Sequence, residues 1–292
     1  MIKRKKKGRT GMTDATEAIN TNTENTQNTT ETYSRRLIIT TGDKGGVGKS
    51  TFTRGLLQTY LDVGKSFVGF DADISNSQLS RYYGKHCTIE KLDIFKEGGI
   101  DAFFIQINKM INEKKPEDGT KQEEELFLLE LPPQSGKIFQ NFVEDMTFLE
   151  TALLDYKIRV TIVVVLSRII DSINQFVHLH SFCRDMADYV IVKNLYFGEE
   201  KEFTLYDGSE KVKAIKQSIS NTKTPLIEIC MPKLIAHAYE YLDAKNMTFK
   251  AGMEQMENPA VKGRVKGWLR NFKQEIEPAK GILGLDGLKI DS

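Results

Sequence analysis

Six short apolar runs alternate with stretches of helical period along the chain. Leu37 to Thr41, Phe67 to Phe70, Leu126 to Leu129, Val160 to Leu166, Tyr189 to Val192 and Leu226 to Ile229 read as buried strands. Between them, Phe52, Leu56 and Tyr60 fall at i, i+4 and i+8, one face of a helix over Lys49 to Leu61. Ile100 to Ile111 reads as a helix. Phe139, Phe142, Val143, Met146 and Leu149 form one helical stripe, and Ile170, Ile173, Phe176 and Val177 begin another. Such alternation predicts an α/β fold, a mostly parallel twisted sheet with helices on both faces and right-handed crossovers. Tyr196 to Gly208 is polar with aromatics and reads as a small insertion or hairpin.

Near the C-terminus, Val261, Val265, Trp268, Leu269, Phe272 and Ile276 repeat at helical spacing, preceded by Pro259 as a start signal. Lys262, Arg264, Lys266, Arg270 and Lys273 fill much of the rest. This basic amphipathic helix has three readings: apolar docking on the sheet with a solvated basic face, contact with DNA phosphates, or contact with an anionic membrane. Gly281 to Ser292 lacks a basic amphipathic tip, which argues against the membrane reading. The expected organisation is therefore a tail over 1–34, one domain over 35–255, and a helix and tail over 256–292 on the same domain.

Composition narrows the picture. The 292 residues are 40% hydrophobic and 28% charged, which suits a soluble globular chain, and no apolar run approaches a membrane-spanning length. Residues 1–34 are rich in Thr, Asn and Glu and read as a disordered tail. Eight basic and four acidic residues within 1–36 give that end +4 of the chain's +1, which leaves the body at −3. A globally basic, nucleic-acid-coating protein is thus not indicated. Cys87, Cys183 and Cys230 are widely separated, with no CxxC pair, so a disulfide framework is not indicated and a reducing cytoplasm is expected. His178 and His180 lie two apart on a helix and face different ways.

The chemistry concentrates in Gly42-Asp43-Lys44-Gly45-Gly46-Val47-Gly48-Lys49-Ser50-Thr51, between a strand and a helix. Glycines let the backbone curl so that N–H groups point at phosphate oxygens, and the helix adds its positive N-terminal end. Lys49 would reach the β- and γ-phosphates, Ser50 would bind magnesium, and Thr51 would contact the α-phosphate. The general pattern GxxxxGK[ST] fails at its first position, which is Asp43.

The remainder, Lys44 to Ser50, resembles the deviant Walker A motif of the ParA/MinD group of partition and cell-division ATPases. That resemblance implies a P-loop ATPase that uses ATP and Mg2+. It also implies an ATP-bound homodimer in which Lys44 reaches the partner's phosphates, as an arginine finger does. Asp71-Ala72-Asp73 is similar to the group's DxD segment, with Asp73 orienting the attacking water and Asp71 near the magnesium shell. Leu128 to Pro133 resembles its Walker B segment, with Glu130 in place of aspartate at the magnesium. Asn194 stands where the group often reads adenine, and Pro232 where a loop borders the base. The nucleotide-binding set implied is Gly45, Gly46, Val47, Gly48, Lys49, Ser50, Thr51, Asn194 and Pro232; an ordinary turn asparagine and loop proline remain open alternatives.

The function implied is a slow ATPase switch used in plasmid partition, conjugal transfer or cargo positioning, with a partner protein or non-specific DNA. Two other classes stay open. Asp43 and Glu130 depart from the usual pattern and suit a nucleotide-gated binding module with little turnover. A small-molecule phosphotransfer or ligase enzyme on the same fold is the third.

Overall fold

The structure is a computed structural model, and it describes residues 33–42, 44–113, 125–222 and 224–290. The tail reading for 1–34 thus falls almost wholly outside the described residues, as does Asp43.

Among the described residues, seven strands form one sheet: β1 (Arg35–Thr41), β2 (Val68–Asp71), β3 (Ile89–Lys91), β4 (Glu125–Glu130), β5 (Ile158–Leu166), β6 (Ala187–Asn194) and β7 (Leu226–Met231). Their order is β3-β2-β4-β1-β5-β6-β7, and every pairing is parallel. The sheet is thus the all-parallel, helix-covered kind that the alternating pattern predicts. β5 and β6 are buried along their whole length, which is why they read as unbroken apolar runs.

The helices are α1 (Lys49–Asp62), α2 (Gln78–Tyr83), α3 (Gly99–Glu113), α4 (Gly136–Asp145), α5 (Phe148–Leu154), α6 (Ile170–Cys183), α7 (Thr204–Asp207), α8 (Glu210–Thr222), α9 (Ala236–Ala244), α10 (Phe249–Glu254) and α11 (Pro259–Ile276). Two cores flank the sheet. One holds Phe103, Phe139, Phe142, Phe176 and Ile215 from α3, α4, α6 and α8. The other holds Phe52, Leu56, Tyr83, Leu242, Phe249, Val265 and Trp268 from α1, α2, α9, α10 and α11.

α11 buries Val261, Val265, Trp268, Leu269, Phe272 and Ile276, its whole apolar stripe. It lies against α1, where a Cβ on Gly55 would meet Phe272 at 2.8 Å. Asn258 caps the helix by accepting the Val261 N–H at 3.1 Å, and Pro259 occupies the first turn. α1 itself is buried nearly all round, not on one face as its period suggests.

Two local readings are corrected. The stripe from Phe139 to Leu149 is two helices, because the chain turns left-handed at Thr147 (φ 45°) between α4 and α5. Tyr196 to Gly208 is no hairpin; it is two 3-10 turns followed by α7. Among the described residues, no helix is long and apolar enough to cross a membrane.

Candidate functional site

Strand order reverses direction around β1: β4 lies on one side and β5 on the other. In open α/β sheets, ligands bind at the carboxyl ends of strands where the order splits in this way. Gly42 and the stretch from Lys44 to Gly48 sit there, between β1 and α1. Gly46 (φ 80°) and Gly48 (φ 102°) both take conformations that L side chains rarely adopt, which is the structural demand behind the glycines. Gly48 immediately precedes α1, and its carbonyl accepts the Phe52 N–H at 3.0 Å.

A cleft of about 440 Å³ opens over this loop. Gly45, Gly46, Gly48, Lys49, Ser50 and Thr51 form its floor. Asp73, Asn76, Gln78, Asn194, Met231, Pro232 and Tyr239 also line it. The α1 N-terminus and the loop N–H groups make the floor suited to an anion.

The carboxylates divide in their roles. Glu130 ends β4 and is 2% exposed. Ser50 Oγ donates to Glu130 Oε1, and Oε2 has no hydrogen-bond partner. Burial pushes the Glu130 carboxyl up to about 7, against the opposing pull of the Ser50 hydrogen bond; the nearby Asp71 charge adds to the rise. Asp71 is also buried, and its Oδ2 accepts the Ser80 N–H of α2 at 3.0 Å. Burial raises its pKa too. In register, Asp71 and Thr40 both lie beside Glu130. Asp73 is only half-buried and lines the cleft; its Oδ1 accepts from Ser75 Oγ at 2.7 Å and Asn76 N–H at 3.2 Å, fixing the turn that follows β2.

The structure therefore brings Lys49, Ser50, Thr51, Asp73, Asn194 and Pro232 around one cleft, with Glu130 bonded to Ser50. Lys44 is not among the residues lining it. Its side chain is 59% exposed on a second, more open cleft with Arg168, Ile169, Phe197, Glu202 and Leu205. Gly45 and Gly46 line both clefts, so the loop is the partition between them. The Lys44 Nζ lies 3.9 Å from Asp171 Oδ2, a loose and exposed pair.

Three groups escaped sequence reasoning. Trp268 Nε1 donates to the Pro232 carbonyl at 2.7 Å, so α11 braces the cleft wall. Tyr239 donates to Gln78 Oε1 at 3.3 Å, joining two residues of the cleft lining. Arg54, wholly buried on α1, lies 3.6 Å from the Tyr82 ring centre and donates to the Met247 carbonyl at 3.3 Å. Of these, only the tryptophan gave a signal, its place on the apolar stripe of α11.

The family model described as the CobQ/CobB/MinD/ParA nucleotide binding domain matches residues 38–274. Protein MobD of Acidithiobacillus ferrooxidans is 22% identical over 223 residues, 76% of this chain and 88% of that protein. Among solved structures, a nucleotide-binding protein in complex with ADP from Archaeoglobus fulgidus is similar at 17% identity and a TM-score of 0.40, over 73% of this chain and 88% of its own. The MinC:MinD cell division protein complex of Aquifex aeolicus matches at 13% identity and a TM-score of 0.42, over 82% of this chain and 96% of that chain. With its loop between β1 and α1 and a family match across most of its length, the chain belongs to the CobQ/CobB/MinD/ParA nucleotide-binding domain family.

Proposed function

We propose that this protein is an ATP-driven switch: ATP with magnesium fills the cleft, two copies then associate across the Lys44 face, and slow hydrolysis separates them. The observation that carries the reading is the Ser50–Glu130 contact beside Lys49, since Glu130 Oε2 is a buried oxygen with no partner. That oxygen and the Ser50 hydroxyl are hard ligands of the kind magnesium takes. Magnesium, when bound there, would neutralise charge on the β- and γ-phosphates.

The chain's own groups divide the remaining work. The loop N–H groups and the α1 N-terminus bind phosphate, and Lys49 meets the terminal phosphates. Asp73, held at the cleft edge by its contacts to Ser75 and Asn76, orients the attacking water. Met231, Pro232 and Tyr239 border the base. Lys44 contributes its charge to the partner copy's phosphates, because its side chain faces away from its own cleft.

The similarity to MobD favours conjugal transfer or plasmid mobilisation over the other uses of such a switch. α11 supports DNA as one surface: with its apolar stripe buried, Arg264, Lys266 and Arg270 stay exposed. The alternative of a binding module with little turnover is favoured by one feature, the raised pKa of Glu130, which leaves a sizeable protonated fraction at neutral pH.

Calorimetric titration and phosphate release test the reading together. Wild type should bind ATP·Mg2+ and release phosphate over multiple turnovers. Lys49→Ala should lose ATP affinity by about a hundredfold or more, the cost of removing a charge-assisted phosphate contact. Normal ATP hydrolysis by Lys49→Ala would contradict the assignment of the cleft. Tight binding by wild type with no turnover, alone or with DNA, would leave the binding-module reading in its place.

A further inference from the structure

Arg54 is a buried cation whose hydrogen-bonding capacity is mostly unmet. It lies on α1 four residues after Ser50, so the two project from one face of the helix, and it is wholly buried. Its guanidinium carbon lies 3.6 Å from the ring centre of Tyr82 on α2, 5.6 Å from that of Tyr239 on α9 and 5.1 Å from that of Phe249 on α10. Nη2 donates to the Met247 carbonyl at 3.3 Å. Nε and Nη1 are buried with no hydrogen-bond partner among the described residues. A side chain that only filled this space would be apolar, since unmet buried donors cost stability. What an arginine adds is a flat cation that attracts ring faces from several elements at once.

The rings belong to elements that complete the cleft. α2 opens with Gln78 and follows the turn fixed by Asp73, and α9 supplies Tyr239. These two helices are tied to each other: Tyr239 donates to Gln78, and Tyr82 Oη and Arg81 both donate to Asp243 of α9. None of these bonds joins the pair to α1, the helix that carries Lys49 and Ser50. Arg54 does so through the rings. A second tie, Tyr83 Oη to Gln58 Oε1 at 3.3 Å, sits one turn farther from the cleft. We propose that Arg54 is a positioning residue: its guanidinium, lying on Tyr82 and near Tyr239, sets the α2–α9 pair against α1 and so holds the Asp73 to Gln78 segment in place beside the phosphate loop. Arg54 is not among the residues that line the cleft, so it acts without touching the nucleotide. This rests on the reading of Asp73 as the group that orients the attacking water.

Three proteins test this. Arg54→Met keeps an unbranched apolar stem and loses the cation, Tyr82→Leu removes the ring on the other side of the contact, and the third carries both changes. Phosphate release and ATP·Mg2+ affinity by calorimetry would be measured for each. Amide exchange across 73–83, with β5 as an internal reference, would be followed in the nucleotide-free protein. Arg54→Met should lower turnover by about tenfold while ATP affinity stays within about threefold, because Lys49 and the loop are left intact. Exchange across 73–83 should quicken by about tenfold or more with β5 unchanged. Tyr82→Leu should do the same, and the double variant should be no worse than either single one, since both remove one contact.

Unchanged exchange across 73–83 in Arg54→Met would overturn the proposal, and so would an equal quickening in β5, the mark of general destabilisation. Turnover that holds at the wild-type rate despite faster exchange would overturn it as well. A fall in ATP affinity as large as the fall in turnover would do the same, by placing Arg54 with the nucleotide-binding groups. Additive losses in the double variant would mean that Arg54 does not act through Tyr82. Should Arg54→Met fail to fold, Tyr82→Leu carries the same readouts. Wild type with no turnover would instead defeat the hydrolysis reading, and exchange measured without nucleotide would still decide whether Arg54 holds the segment.

Discussion

The two flanks of the phosphate loop are built differently. On the Ser50 flank, Glu130, Asp71 and Asn194 are buried and bonded to neighbours that fix them. On the Lys44 flank, the cations are exposed and paired loosely or with surface carboxylates: Lys44 with Asp171 at 3.9 Å, Arg168 with Glu202 at 3.0 Å. Large apolar side chains stand open beside them, with Ile170 52% exposed and Leu205 50% exposed. A buried, bonded flank is preorganised for a ligand. An exposed flank with apolar groups and weakly held cations gains most from being covered, which is the physical basis for placing the second copy there.

Glu130 offers the largest effect with which to break this contrast. Its folded-state pKa, about 7, lies above the ordinary value of 4.5. Between those values the folded state holds a proton that the unfolded chain releases, so nucleotide-free stability falls as pH rises through that window. The loss amounts to about 3 kcal/mol at most. Asp71, raised in the same way, adds a loss of the same sign starting at lower pH. Glu130→Gln should therefore be more stable than wild type at pH 8 and show a flatter profile, as read by urea unfolding at pH 5 and pH 8. It should also weaken the magnesium dependence of ATP binding. An equal decline in both proteins would mean that Glu130 is not the strained group.

On the exposed flank, Ile170→Asp sharpens the comparison at smaller cost. Ile170 is the first residue of α6, where a carboxylate suits the helix dipole, so the monomer should keep its melting temperature. The ATP-dependent dimer should weaken by about tenfold, since each copy would bury a charge in place of an apolar side chain. Sedimentation across a concentration series reads this directly. An unchanged dimer would mean the partner covers some other surface. Asp171→Asn should do least: an exposed pair of this kind contributes under about 1 kcal/mol. Its removal should leave ATP affinity within about twofold by calorimetry.

How far the sequence spoke for this site follows the same division. The strands and the α11 stripe were legible because burial imposes a period on residue type, and the loop because its glycines answer a local backbone demand. The break at Thr147 was not, since the apolar stripe runs through both helices across a turn that carries no glycine or proline. β3 and α2 span three and six residues, too few for a period to show. Arg54 reads as a surface cation, and only the converging rings of Tyr82, Tyr239 and Phe249 make its burial tolerable. Asn194 could be placed at a strand end, but its bond to Val47 depends on β6 lying next to β5 in the assembled sheet.

The central claim is that one flank binds nucleotide alone and the other works only in a pair. Light scattering of wild type and Lys44→Ala, in ADP and in ATP·Mg2+, tests it most directly. The account predicts monomers in ADP for both proteins. It predicts a dimer in ATP for wild type only, with Lys44→Ala binding ATP at wild-type affinity. A Lys44→Ala protein that dimerises normally, or a wild type that stays monomeric with ATP bound, would contradict it.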